Sequence, residues 1–109
     1  GKCHLMNMTR QEAERLLQEP LKAFTSHTIT SVPTLLKFAD SMVDAEFGYD
    51  REEYDDGISA LALPIQTFAS DNYALAVSMP SKLFAERLPD LRAALRQAQR
   101  GIENALGIT

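Results

Sequence analysis

The sequence has little cysteine and no long apolar run. Cys3 is the single cysteine among 109 residues, so no disulfide can form within the chain and no cysteine cluster can bind a metal. The longest nearly unbroken apolar run, residues 60–65, is far too short to cross a bilayer. The first eight residues lack the apolar core and the cleavage site of a signal peptide. We therefore expect a cytoplasmic protein without membrane contact.

Motifs that carry catalysis are also missing. The chain has neither a Gly-rich phosphate loop nor a Gly-x-Ser-x-Gly turn. Asp50, Glu52 and Glu53 form a carboxylate cluster of the kind that can do acid–base chemistry, but no histidine follows them. His27 has no metal-ligating neighbour at suitable spacing, so a hydrogen-bonded structural histidine is expected. The sequence thus predicts no catalytic residue, no metal site and no cofactor.

Charge and composition narrow the class further. The formal net charge is −4, which argues against a general nucleic-acid binder. With 45% hydrophobic and 24% charged residues, the chain is typical of one globular domain or of a piece of one. The acidic residues gather before and within a turn at residues 52–57, here called the acidic turn. We expect most of them to form a solvated surface.

Hydrophobic periodicity and turn residues predict an α+β fold with an antiparallel sheet flanked by helices. Thr9 and Glu12 have capping-box spacing, and Ser31 precedes a second helix as its N-cap. Pro89 is expected in the first turn of the last helix, and Gly107 at its C-cap. The predicted elements are the end of a helix within residues 1–8, helices at about 10–18, 32–45 and 85–106, an extended connector at 21–30, and strands at about 47–50, 58–65 and 73–79.

Alternation gives the second and third strands two different faces. Successive side chains of a strand point to opposite sides. One side, the bulky face, carries large apolar residues and is expected to pack on helices. The other side, the small face, is expected to align in a hairpin with Ala60 near Ser78. The bulky face is Leu61, Leu63, Ile65, Tyr73, Leu75, Val77 and Met79, and the small face is Ala60, Ala62, Ala74, Ala76 and Ser78.

The small face leaves room for a ligand or for another layer of backbone, and alternation alone does not decide between them. Asp50 closes the first strand and could accept a hydrogen bond from a ligand hydroxyl or from a loop N–H, or could serve only as a turn residue. Ser78 could donate to a ligand carboxylate, or could be an ordinary strand hydroxyl. A pocket needs small or apolar walls and a few converging polar groups, and these residues would supply both.

Four segments follow one another along the chain: HTIT in the connector, FGYDREEYDDGISALALPI, YALAVSMPS and a final helix led by ERL. Their order resembles the C-terminal effector-binding domain of IclR-type bacterial transcriptional regulators. In that family the corresponding segments read like THTIT, GYAxDDEExxxGxxCxAAPI and AALSVSGP. No single motif is decisive, but their order and spacing are specific, and the match covers essentially the whole chain.

The resemblance implies a GAF-like domain that binds a small organic effector, such as an aromatic or carboxylic acid. Residues 1–109 would be part of that domain, lacking its N-terminal strands and the winged helix-turn-helix that binds DNA in a dimer or tetramer. Residue by residue, the family's effector contacts map onto Asp50, Ala60, Ala76 and Ser78. A cysteine and one serine of the family pattern are alanines here, which implies a less polar pocket. The alternative is a protein-interaction or oligomerisation module that senses nothing.

Overall fold

The structure, a computed structural model, describes residues 1–18, 20–42, 46–67 and 72–108. It confirms the predicted α+β class. Residues 43–45 of the helix predicted at 32–45, and most of the hairpin tip that Ser70, Asp71 and Asn72 predict, lie outside the described residues. The elements are α1 Lys2–Met6, α2 Arg10–Leu16, α3 Val32–Met42, β1 Gly48–Arg51, β2 Ile58–Ile65, β3 Tyr73–Pro80 and α4 Ser81–Ala105.

The three strands form one antiparallel sheet in the order β1-β2-β3. Ala60 pairs with Ser78, so the predicted hairpin register is confirmed. Because a slip of one residue would move every side chain to the other face, this register fixes which residues share a face. Asp50 of β1 lies opposite Ala60, which places it on the small face beside the alanines.

The bulky face packs on α4 and forms the main core. Leu61 and Leu63 are fully buried at 0% and 1% exposure, and Phe84 of α4 is buried at 3%. Ser59 shares this face, and its hydroxyl lies 2.8 Å from that of Ser81 at the start of α4. The buried cluster is Phe47, Leu61, Leu63, Ile65, Phe84 and Leu95.

The small face is partly covered by α1, whereas the sequence placed helices on the bulky face only. Cys3 of α1 is buried against Gly48 of β1, at 1% exposure. A Cβ on residue 48 would lie 2.8 Å from Cys3 Sγ, so only glycine allows the helix to approach this closely. Buried Leu36 and Ala39 of α3 form the apolar layer behind α1. The sheet is therefore a middle layer.

Two predictions in the N-terminal half need correction. The helix predicted at 10–18 ends at Leu16, whose side chain is 63% exposed. The helix is short because Leu17 is already extended, with φ −95° and ψ 123°. The connector is turned rather than extended. Thr28 Oγ1 accepts from the amides of Phe24 and Thr25, both at 3.0 Å, and this local bonding replaces strand pairing.

The last helix begins four residues earlier than predicted. Strand β3 passes directly into α4 at Ser81, and burial of Phe84 holds the first turn on the sheet. Pro89 therefore lies inside the helix and not in its first turn. The C-terminal cap is as predicted: Gly107 has φ +81°, and the amides of Gly107 and Ile108 bond to the carbonyls of Asn104 and Glu103 at 3.0 Å. Among the described residues, no helix is long and apolar enough to cross a membrane.

Candidate functional site

A groove of about 270 Å³ lies on the small face, between the sheet and the start of α1. Alternation builds its floor, because β2 and β3 direct alanines to this side. The first turn of α1 forms one wall, and the acidic turn forms another. The lining residues are Gly1, Lys2, Cys3, Gly48, Tyr49, Asp50, Glu53, Tyr54, Ala60, Ala62 and Ala76.

Asp50 lies at the junction between β1 and the acidic turn. It is half-buried, and its Oδ1 accepts from the backbone amide of Glu53 at 2.9 Å. Within the described part of the chain, no hydrogen bond engages Oδ2 of Asp50. The carboxylate is thus held in a fixed orientation by one oxygen and keeps acceptor capacity at the groove.

Lys2 joins α1 to the acidic turn. Its ammonium group donates to the Tyr49 carbonyl oxygen at 2.7 Å and to the carboxylate of Glu53. The two charged side chains are only 12% and 19% exposed, and the ammonium also lies 4.7 Å from the centre of the Phe38 ring. Because both charged groups are largely withdrawn from water, losing either one leaves the other buried and unpaired, which costs more stability than breaking a surface pair.

Three of the four residues predicted as effector contacts line the groove together. Asp50, Ala60 and Ala76 are at its wall and floor. Ser78 is exposed and pairs with Ala60 across the strands, but it is not part of the lining. Its hydroxyl lies on the same face, toward the end of β3 nearest α4.

Sequence patterns did not indicate Lys2, Cys3 or Tyr54 as groove residues. Lys2 and Cys3 contact strand residues that are more than forty positions away in the sequence. Hydrophobic periodicity does not predict contacts at such separations. Burial raises the pKa of the Cys3 thiol above its ordinary value of 9.0, although a backbone hydrogen bond with Gly48 and the charge of the N-terminus oppose this. The raised pKa favours the neutral thiol, which forms an apolar part of the wall. The described residues contain no group of three or more His, Cys, Asp or Glu side chains placed to hold a metal ion.

Comparison with known families matches residues 1–104 to the model for the bacterial transcriptional regulator IclR C-terminal domain. This match spans nearly all of the sequence. The chain belongs to the IclR family. The helices and the antiparallel sheet described above are thus those of an IclR C-terminal domain.

Curated IclR relatives agree with this assignment. The HTH-type transcriptional regulator KdgR of Escherichia coli K12 is 33% identical over 110 residues, which are 98% of this chain and 42% of KdgR. The HTH-type transcriptional repressor AllR of the same strain is 31% identical over 111 residues, covering 99% of this chain and 41% of AllR. The chain therefore spans about two fifths of the length of these regulators.

Solved IclR-type structures share the fold. The C-terminal domain of E. coli KdgR has a TM-score of 0.86 at 32% identity, over 97% of this chain and 66% of that one. A double mutant of the PobR inducer-binding domain from Acinetobacter, in complex with 3-hydroxybenzoic acid, has a TM-score of 0.80 at 20% identity. That match covers 93% of this chain and 62% of the PobR chain, and at this identity it shows the fold alone.

Proposed function

We propose that this chain is the effector-sensing part of an IclR-family bacterial transcriptional regulator. A small organic effector binds in the groove beside Asp50, and binding shifts the balance between conformations or oligomers of the parent regulator. The parent acts as a dimer or tetramer and binds DNA through a winged helix-turn-helix domain outside this sequence. The observation that carries the proposal is the alanine-floored groove with a half-buried carboxylate at its edge.

The groove suits a small ligand with an apolar body and at least one hydroxyl group. Ala60, Ala62 and Ala76 offer no side-chain hydrogen bond, so they contact apolar surface. Asp50 accepts a hydrogen bond from the ligand hydroxyl with its second oxygen. Hydroxylated aromatic acids are a reasonable first class to test, since the PobR domain was solved with 3-hydroxybenzoic acid.

Thermal-shift screening of the chain against small organic acids and hydroxylated aromatic compounds tests this function. A ligand that binds only the folded state raises the melting temperature. At a ligand concentration of a hundred times its Kd, it adds about 2.7 kcal/mol to the free energy of unfolding. With a hit compound, Asp50→Ala should reduce the shift strongly. Ser78→Ala should reduce it less, because Ser78 is outside the groove lining.

The control for charge and turn position is Asp56→Ala, an exposed carboxylate of the same acidic turn. It should leave the shift unchanged. A second variant, Ala60→Leu, fills the groove without removing a polar group and should abolish the shift, while Ala94→Leu on an exposed position of α4 should not. Equal loss in Asp56→Ala and Asp50→Ala would contradict binding at this groove.

The alternative is an interaction or oligomerisation module that senses nothing. Exposed apolar side chains on α4 and at its C-cap favour it, with Leu83, Ile102 and Leu106 at 37%, 38% and 45% exposure. Under this alternative no compound shifts the melting temperature. Sedimentation of the chain would then show self-association that Ile102→Glu removes and Asp50→Ala does not.

A further inference from the structure

Two threonine hydroxyls of the connector reach across to the acidic turn. Thr25 Oγ1 donates to the carbonyl oxygen of Glu52 at 2.5 Å, and Thr28 Oγ1 donates to the carbonyl oxygen of Glu53. The partners are 27 and 25 residues apart in sequence. These contacts therefore join two segments that no regular secondary structure pairs.

Each hydroxyl is itself fixed in direction by the connector backbone. Thr28 Oγ1 accepts from the amides of Phe24 and Thr25, and Thr25 Oγ1 accepts from the amide of His27, all at 3.0 Å. A hydroxyl has one proton to donate and two lone pairs that accept. Thr28 Oγ1 accepts two local hydrogen bonds and Thr25 Oγ1 accepts one, and the proton of each hydroxyl is donated to the acidic turn.

The acidic turn needs such support because its backbone is strained. Glu52 has φ +59°, a left-handed conformation that is unfavourable for a residue with a side chain. Thr25 holds the carbonyl of this residue. Thr28 holds the carbonyl of Glu53, and the amide of Glu53 is the group that fixes Asp50 Oδ1 at 2.9 Å.

We infer that Thr25 and Thr28 are positioning residues for Asp50. They hold the strained turn in the one arrangement in which the Glu53 amide faces the Asp50 carboxylate, and so they orient that carboxylate at the groove. The importance of this orientation rests on the proposed effector-binding function. The contact itself does not, because it exists without a ligand.

Amide hydrogen exchange, measured residue by residue by NMR on the ligand-free chain, tests the inference. The amide of Glu53 reports directly on its bond to Asp50, and Asp50→Ala gives the rate for a lost bond. In the double variant Thr25→Val, Thr28→Val, the Glu53 amide should exchange at least about fivefold faster than in the wild type, the effect of one lost hydrogen bond. It should approach the rate in Asp50→Ala, while the amides of α4 keep their wild-type rates.

Two controls separate positioning from general stability. Thr25→Ser, Thr28→Ser keeps both hydroxyls and should restore the wild-type Glu53 rate. Thr30→Val removes an exposed connector hydroxyl and should change nothing. A wild-type Glu53 rate in the double valine variant would overturn the inference, as would an equal acceleration throughout α4. Since no ligand is used, failure of the thermal-shift screen and failure of this experiment are distinguishable.

Discussion

At the scale of single residues, Gly48 sets how closely α1 approaches the sheet. The position of its missing side chain is 2.8 Å from Cys3 Sγ and 3.5 Å from the Cys3 backbone nitrogen. The sulfur is therefore the atom that a larger residue meets first. Since Lys2 and Cys3 form one wall of the groove, this contact also sets the width of the groove.

Gly48→Ala should lower the free energy of unfolding by about 1–3 kcal/mol, the usual cost of overpacking a buried site. Adding Cys3→Ala removes the clashing sulfur and leaves the backbone nitrogen at an ordinary contact distance. The double variant should therefore lose less stability than the sum of the two single variants. Urea unfolding of all four proteins measures this coupling, and strict additivity would show that the two residues do not meet.

At the scale of elements, α4 contains the sharpest conflict between sequence and structure. Pro89 lies nine residues into a helix that begins at Ser81. Proline there removes a backbone hydrogen bond and crowds the preceding turn. Pro89→Ala should therefore raise the free energy of unfolding by about 1–3 kcal/mol, because alanine restores the bond.

The matched control is Asp90→Ala, at the neighbouring exposed position of the same helix. It should change stability by less than about 0.5 kcal/mol. The free energies of unfolding of both variants are measured by urea unfolding, and the m-value should stay constant. If Pro89→Ala had no effect, the stable helix would begin near Ala85 with Pro89 in its first turn, as the sequence predicted.

The hairpin, α4 and the groove show what sequence patterns predict and what they do not. Strand alternation predicted the hairpin register because one wrong step would expose Leu61 and Leu63 and bury alanines. The start of α4 was predicted four residues too late because proline is expected in the first turn of a helix, and Pro89 was placed there. In the structure, burial of Phe84 on the sheet makes the helix begin at Ser81. In the groove, Asp50 and the alanines follow from alternation along the strands.

The remaining groove contacts depend on the assembled fold. Lys2 meets Glu53 across 51 positions, and Thr25 meets Glu52 across 27. Hydrogen bonds at such separations leave no periodic trace in a single sequence. The family motif HTIT includes Thr28 but not Thr25, and neither the motif nor the expected extended connector gave a reason for the two hydroxyls. The structure supplies one, since their hydroxyls hold the acidic turn.

At the scale of the whole molecule, the chain is a flat plate of 40 × 36 × 19 Å with 7127 Å² of accessible surface. A monomer of this mass is expected to expose about 6000 Å². The apolar interior is divided by the sheet into two unequal parts. The part beneath α4 contains large side chains, and the part beneath α1 and α3 contains Cys3, Ala13, Leu36 and Ala39.

This division predicts two levels of stability. Burial of large apolar side chains contributes roughly 1.5–3 kcal/mol each, and small ones contribute less. Native-state hydrogen exchange should therefore show the amides of α2 and α3 opening at a lower free energy than those of β2 and α4, which exchange only through global unfolding. Leu61→Ala should lower that global free energy by about 2–5 kcal/mol. This substitution should speed exchange in β2 and α4 and leave the exchange rates of α2 unchanged. The amides of α2 already exchange through a local opening whose free energy is lower than that of global unfolding. An equal opening free energy in every helix, and an equal acceleration by Leu61→Ala, would instead mean that the chain unfolds as one unit, with the layer around the groove as stable as the core under α4.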